Sequence, residues 1–429
     1  MFGGASREHA LRLALVELSA LPALVFGLLA LADGDSLRRH RFALALLGSV
    51  FLIPLLQLLP LPLSTWSGLP GREQAALALE IAGLAPAWLP ISLTPDLTWL
   101  SLLALIPPAA MFLVVLRQGF PLGERLIRVA LGFAVLSILL AFGQAIIGTR
   151  DLFVWAANDV GEVPGLFANR NHLATLCLIS LPFACVLGAR PLRESGRDQK
   201  PLWLAALFVF MVVLALGVIR SRAGVVLMGP VLAVSLAAGW LASGRGLPRR
   251  RLVAGAGLAA VSLLVVAAFL ALPVVDRFDP STSSELRFEN WPLVLRAADA
   301  HLPLGGGIGS FDAVFRSVEP LSQLDATFFN HAHNDYLETL LEAGWLGAAA
   351  IVGFLVWFGR RGWRAWRSGA GRAHDLQRAA SVAILVMLLH SAADYPLRTE
   401  TLMVLFALFA ALLELQPTSL RRRSRSADD

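Results

Sequence analysis

About eleven stretches of roughly 18 to 24 predominantly apolar residues follow one another along the chain, and this succession constrains its fold more than any other feature. They lie near 10 to 32, 42 to 60, 98 to 116, 126 to 147, 172 to 189, 201 to 219, 223 to 242, 252 to 275, 337 to 358, 379 to 393 and 400 to 415. A hydrocarbon core about 30 Å thick takes about 20 apolar residues of helix, and lipid offers no partner for an open backbone amide, so each stretch predicts a membrane-spanning helix. Composition agrees, because 57% of the 429 residues are apolar and 15% are charged, whereas soluble domains carry about 25% charged residues. The expected class is all-α, a polytopic helical membrane protein with about eleven spans and one long outer loop. A re-entrant segment in the Pro-rich stretch 80 to 97 would make twelve. Fibrous, disordered and disulfide-rich secreted classes are excluded.

A net charge of +6 would suggest nucleic acid in a soluble protein. Here nearly all the basic residues are Arg lying between apolar stretches, which reads as membrane topology and predicts no nucleic-acid partner. Arg38 to Arg41, Arg117 to Arg128, Arg190 to Lys200, Arg245 to Arg251, Arg360 to Arg378 and Arg421 to Arg425 hold about 24 of the 36 basic residues. Simple alternation of the spans puts all of these segments on one side, the cytoplasmic one, together with the C-terminus, and an odd span count leaves the N-terminus outside. The first apolar stretch lacks a compact basic start and a small-residue cleavage site, so it is expected to remain as an anchor. Cys177 and Cys185 stand about 12 Å apart on one predicted helix, too far for a mutual disulfide.

The expected organisation is therefore residues 1–275 as spans one to eight with outer loops 61–97 and 148–171, a long outer loop 276–335, the last three spans in 336–415, and a basic tail 416–429. Soluble chemistry must sit in the outer loops. The densest polar cluster, Asn330-His331-Ala332-His333-Asn334-Asp335-Tyr336-Leu337-Glu338, closes the long loop where an apolar helix begins. Asp335 and Glu338 have capping-box spacing, which accounts for them as a helix start. The histidines need another account. Imidazole takes a proton near neutral pH, and His333, just ahead of a helix at the membrane surface, suits a general base. His331 and His333 could instead form a metal pair, although no third ligand stands at a recognisable spacing.

From 202 to 242 about 41 nearly unbroken apolar residues would make a helix of roughly 60 Å, twice what a bilayer holds. The segment must fold back at Arg220-Ser221-Arg222, with Gly224 following, and this turn carries two guanidiniums to the outer side. Guanidinium forks suit phosphate oxygens, while snorkelling is the plain alternative. Ser284 to Trp291 is an amphipathic stretch in which Arg287 could pair with Glu285 or Glu289. Gly305-Gly306-Gly307-Ile308-Gly309 lacks the Lys-Ser/Thr of a P-loop and reads as a turn. Asp33-Gly34-Asp35 has the look of a metal-binding carboxylate pair but no domain around it. Phe167-Ala168-Asn169-Arg170-Asn171-His172, with Asn171 as an expected helix cap, and Asp394-Tyr395-Pro396-Leu397-Arg398 fall on the same outer face.

The run His331-Ala332-His333-Asn334-Asp335-Tyr336-Leu337-Glu338, followed by Glu342-Ala343-Gly344-Trp345-Leu346-Gly347, resembles the signature of the bacterial O-antigen ligase and polymerase family. Ser221-Arg222-Ala223-Gly224, Arg287 with Trp291, Pro303 to Gly309, Phe167 to His172 and Gln57-Leu58-Leu59-Pro60-Leu61-Pro62 are similar to that family in kind and order. The resemblance implies an integral inner-membrane glycosyltransferase that uses a glycan on undecaprenyl pyrophosphate at the periplasmic side. It implies His333 as the base, and Arg222 and Arg287, helped by Arg220, as holders of the pyrophosphate. His331, Asn334, Asp335, Glu338 and Asn171 are expected in support.

Attack by an acceptor hydroxyl needs a base for its proton and cations for the departing pyrophosphate, so no metal or cofactor is expected and in-line displacement would invert the anomeric centre. The acceptor is expected to be the lipid A core or a growing glycan, and membrane lipids are expected to surround the spans. Ligation, repeat-unit polymerisation, and glycosylation of protein or exopolysaccharide remain open. A transporter of the same lipid and an intramembrane metalloenzyme are the alternatives from other classes, distinguished by covalent transfer and by chelators.

Overall fold

A computed structural model describes residues 10–29, 34–147, 163–194, 198–244, 283–321 and 329–417, with only the backbone described at 10, 12 and 283–289. The expected span at 252–275, the basic segment 245–251, most of the loop 148–171 and the basic tail lie outside the described residues. Elsewhere the apolar stretches are helices: α1 (Ala10–Leu29), α2 (Gly34–Gln57), α5 (Pro95–Leu103), α6 (Ile106–Gln118), α7 (Phe120–Ile147), α8 (Arg170–Glu194), α9 (Lys200–Ile219), α10 (Arg222–Ser243), α13 (Asp335–Arg367), α14 (Arg372–His390) and α15 (Glu400–Glu414). The protein is thus a polytopic helical protein, and among the described residues 7 helices are long and apolar enough to cross a membrane.

Between α2 and α5 lie α3 (Leu63–Trp66) and α4 (Glu73–Ile81), and ahead of α13 lie α11 (Ser283–His301) and α12 (Phe311–Val318). A short antiparallel ribbon pairs β1 (Pro60–Pro62) with β2 (Trp88–Pro90), Leu61 opposite Leu89. The Pro-rich stretch is therefore a ribbon and loop, with no re-entrant helix. The third span is broken into α5 and α6 just ahead of Pro107 and Pro108, whose rings displace the carbonyls one turn back and remove two amide donors.

α8 is the axis of the bundle. Its apolar window is 94% buried, against 28% for those of α2, α7, α9 and α13. Small residues let neighbours approach it closely: a Cβ placed on Gly188 would lie 2.4 Å from Ala205 on α9, and one on Gly239 of α10 would lie 2.8 Å from the Cys185 carbonyl. Such contact replaces the hydrophobic drive that lipid cannot supply between helices. Both cysteines are free and buried there.

The two ends of the bundle differ. At one, Glu124 of α7 accepts from Arg190 of α8 at 2.7 Å, and Asp375 of α14 accepts from Arg193 at 2.7 Å, so three of the basic segments meet. Glu414 likewise takes Arg361 at 2.5 Å and His40 at 2.9 Å. The opposite end carries the histidine cluster. On α13 the exposed Trp345 and Trp363 mark the two ends of a segment of about 27 Å. That separation fits aromatic residues at both interfaces of a bilayer.

Candidate active site at the histidine end

The start of α13 is stitched to the end of α14. Asn334 is the cap: its Oδ1 accepts from the Tyr336 and Leu337 amides, both at 3.1 Å. Its Nδ2 donates to the Ala392 carbonyl at 3.1 Å, and the Tyr336 hydroxyl donates to that of Leu388 at 2.6 Å. The expected Asp335–Glu338 capping box is not formed. Asp335 gives its amide to the Ser391 carbonyl and turns its carboxylate inward, where Ser391 Oγ donates to it at 2.7 Å. A local cap can be read from spacing, but these carboxylates face partners in the loop before α13 and in the turn after α14.

The two histidines go to different carboxylates. His331 Nδ1 lies 2.7 Å from Glu338 Oε1, and the other oxygen of Glu338 accepts the Ala332 amide at 2.8 Å. His333 Nδ1 lies 3.0 Å from Oδ1 of Asp394, in the turn after α14. His333 has φ +47°, a left-handed backbone that a non-glycine residue holds only at a cost of about 1–2 kcal/mol. The strain aims the ring across the cluster. The Tyr395 ring packs against His331, His333 and His172 with centroids at 4.3, 4.9 and 5.2 Å. Burial alone would raise the Asp394 carboxyl. The hydrogen bond from His333 and the charges available to His172, His333 and His390 outweigh burial and hold it below the ordinary carboxylate range. An ionised Asp394 accepts Nδ1–H, so neutral His333 keeps the lone pair on Nε2, the arrangement of a general base.

Arg398 is the hub beside this pair. Its guanidinium lies 2.9 Å from Glu342, 3.1 Å from Glu338 and 3.5 Å from Asp335. Burial would lower its pKa, but the charges of Glu338, Glu342 and Asp335 raise it above the ordinary guanidinium value. Glu342 also accepts the Gly309 amide at 2.9 Å. The glycine loop is fully committed to the fold: the amides of Gly305, Gly306, Gly307 and Ser310 go to the carbonyls of His301, Leu341, Glu342 and Gly307. That of Ile308 goes to Gln57 Oε1 at 2.9 Å. It is a turn, as its sequence suggested, with its amides occupied instead of cradling phosphate.

The arginine turn is as short as expected. α9 ends at Ile219, Arg220 takes a left-handed φ of +57°, and Ser221 caps α10 by accepting the Gly224 amide at 3.2 Å. Gly224 lies inside α10 instead of in the turn, where its value is close approach: an added Cβ would stand 3.0 Å from that of Ala174. The neighbouring Thr175 hydroxyl lies 2.8 Å from His390 Nδ1. Exposed Arg222 thus opens a helix packed on the same turn of α8 that borders the histidine cluster.

Asn169, not Asn171, caps α8, its Oδ1 accepting the Asn171 amide at 2.8 Å while its Nδ2 donates to the Tyr395 hydroxyl at 3.3 Å. The cap falls one turn position earlier because α8 begins at Arg170. Arg287 lies on α11 one turn before Trp291, whose indole donates to the Ala332 carbonyl at 3.1 Å. The Arg287 side chain, like its expected pairing with Glu285 or Glu289, is outside the described residues. Asp33 is too, and Asp35 starts α2 at the opposite end.

The fold therefore joins His331, His333, Asn334, Asp335 and Glu338 in one network, with Arg222 and Asn171 on helices that border it and Arg220 in the turn before α10. Sequence reasoning put Asp394, Tyr395 and Arg398 on this face without a role, and had Glu342 and Gln57 only as parts of the motifs that carry the resemblance. The Asp-Tyr-Pro-Leu-Arg run between two apolar stretches was the available signal, since charge beside a span needs a partner. Among the described residues no three His, Cys, Asp or Glu side chains converge as a metal site. No curated protein matches the chain. Residues 203–352, which include the arginine turn, the glycine loop and the histidine cluster, match the family model described as O-Antigen ligase. The similarity of this chain to that family lies in this segment.

Proposed function

We propose that this protein moves a glycan from undecaprenyl pyrophosphate to an acceptor hydroxyl at the periplasmic face of a bacterial inner membrane. The observation that carries the reading is the His333–Asp394 pair at 3.0 Å, on the bundle end opposite the basic segments and next to the helix that Arg222 opens. The clustering of basic segments at the other end supports a periplasmic histidine end and a cytoplasmic C-terminus.

In this reaction the acceptor oxygen attacks the anomeric carbon, its proton passes to His333 Nε2, and the bond from that carbon to the pyrophosphate oxygen breaks with its electrons on the leaving group. Asp394 stabilises the imidazolium that forms. Arg222, Arg220 and Arg287 balance the pyrophosphate charge. His331, Asn334, Asp335, Glu338 and Asn171 hold the surrounding backbone. In-line attack inverts the anomeric centre, and the proton transfer and leaving-group charge need neither metal nor cofactor. The acceptor that fits the family best is the lipid A core, and a growing glycan fits the polymerase branch.

The test is His333→Asn, because Asn tolerates the left-handed backbone better than Ala. Transfer by the purified variant should fall about 10²- to 10⁴-fold, the contribution typical of a general base, while the lipid-linked donor accumulates in cells. Full transfer would remove His333 as the base. In a deletion strain, unligated core with intact polymer on the carrier supports ligation, and core bearing one repeat supports polymerisation.

A further inference from the structure

The backbone that presents His333 is pinned on both sides. Ala332, fully buried between the two histidines, gives its amide to Glu338 Oε2 at 2.8 Å, and its carbonyl accepts the indole N–H of Trp291 at 3.1 Å. That carbonyl shares one rigid peptide plane with the His333 amide. The φ of His333 is the rotation of the residue against this plane, so holding the carbonyl oxygen holds one side of the left-handed turn at +47°. The other side is held from the end of α14, where the Asn334 Nδ2 donates to the Ala392 carbonyl at 3.1 Å and the Asp335 amide to that of Ser391 at 2.9 Å. The indole has a fixed support of its own, because Val294, Ala297 and Ala298 of α11 are buried in one cluster with Ala332 and Leu341. A hydrogen bond and a left-handed residue with a Cβ carry free energies of similar size and opposite sign. Without the indole donor, the strained peptide is free to turn.

We propose that Trp291 is a positioning residue for His333, its N–H holding the Ala332–His333 peptide in the orientation that keeps the imidazole on Asp394. The inference rests on the reading of His333 as the base. Trp291 acts through the backbone, so it governs the rate of proton removal and leaves donor binding alone. The helix that carries Arg287 one turn earlier thereby also sets the base.

The experiment is a double-mutant cycle on purified full-length protein, with transfer followed at varied donor concentration. Trp291→Phe keeps an aromatic ring and removes the N–H. Its kcat should fall about 3- to 10-fold, the effect of one hydrogen bond, while the donor concentration for half-maximal rate stays at the wild-type value. In the His333→Asn background the same change should cost nothing further, because no base remains to be misplaced. Replacing Trp291 by its benzothiophene analogue, which has the same shape and no N–H, should give the same result and covers the case in which Trp291→Phe does not fold. An equal loss in both backgrounds, a loss taken wholly in the donor requirement, or no loss at all would overturn the inference. Failure of the underlying reading looks different: His333→Asn by itself would then retain transfer.

Discussion

The guanidinium of Arg398 meets the carboxylate of Glu342 at 2.9 Å, although one precedes the last span and the other lies near a break in α13. Glu342 in turn holds the amides of Gly309 and Phe311. One carboxylate therefore joins three separate parts of the chain. Arg398→Met would leave Asp335, Glu338 and Glu342 without the cation they share. Stranding a buried charge costs about 3–5 kcal/mol, so the variant should unfold at markedly lower temperature in detergent. Glu342→Gln keeps an oxygen for the Gly309 amide and should lose only about 1–3 kcal/mol. Equal losses in the two variants would show that Arg398 is not the common counter-ion.

Gly344 breaks α13 with φ +54° and ψ −142°. The break frees the Glu342 carbonyl for Gln57 Nε2 at 2.8 Å and lets the Trp345 amide donate to the Pro303 carbonyl at 3.0 Å. A Cβ on residue 344 would stand 2.1 Å from the Pro303 oxygen, which is backbone and cannot move aside. Gly344→Ala should therefore be recovered in much lower yield, and what folds should show poor transfer because the first turns of α13 carry the network. A variant with normal yield and rate would mean that the bend is dispensable.

Arg220 separates a structural effect from a binding effect. Its left-handed backbone is strained for any side chain with a Cβ, so Arg220→Gly should raise stability by about 1 kcal/mol, read as a higher unfolding temperature. If Arg220 helps hold pyrophosphate, the same variant should need more donor for half-maximal transfer. Higher stability with an unchanged donor requirement would leave Arg220 as a turn residue alone.

Asp394 sets an acid dependence whose sign follows from its lowered pKa. The unfolded carboxyl titrates near about 3.9, and the folded one lies below the ordinary range. Its contribution to stability is fully present above the unfolded value and is lost as pH falls below it, toward the folded value. The stability difference between wild type and Asp394→Asn should therefore shrink as unfolding is followed from about pH 5 to about pH 3. A difference that widened in that window would contradict the lowered pKa.

Hydropathy by itself determined where the described spans lie, because a helix in lipid satisfies its backbone from within, and 18 to 24 apolar residues suffice to announce it. The arginine turn was legible for the same reason: too much apolar chain for one crossing must fold back. The run from His331 to Glu338 declared a site through its polar density at the mouth of a span. Only tertiary structure decided that Asn334 and Asn169 are the caps, that Glu338 serves His331, and that Asp394 serves His333. It also decided that α8 is the axis and that α13 bends at Gly344. These depend on which helix faces align when the spans pack. A carboxylate finds its partner across that packing, where no local period records the match.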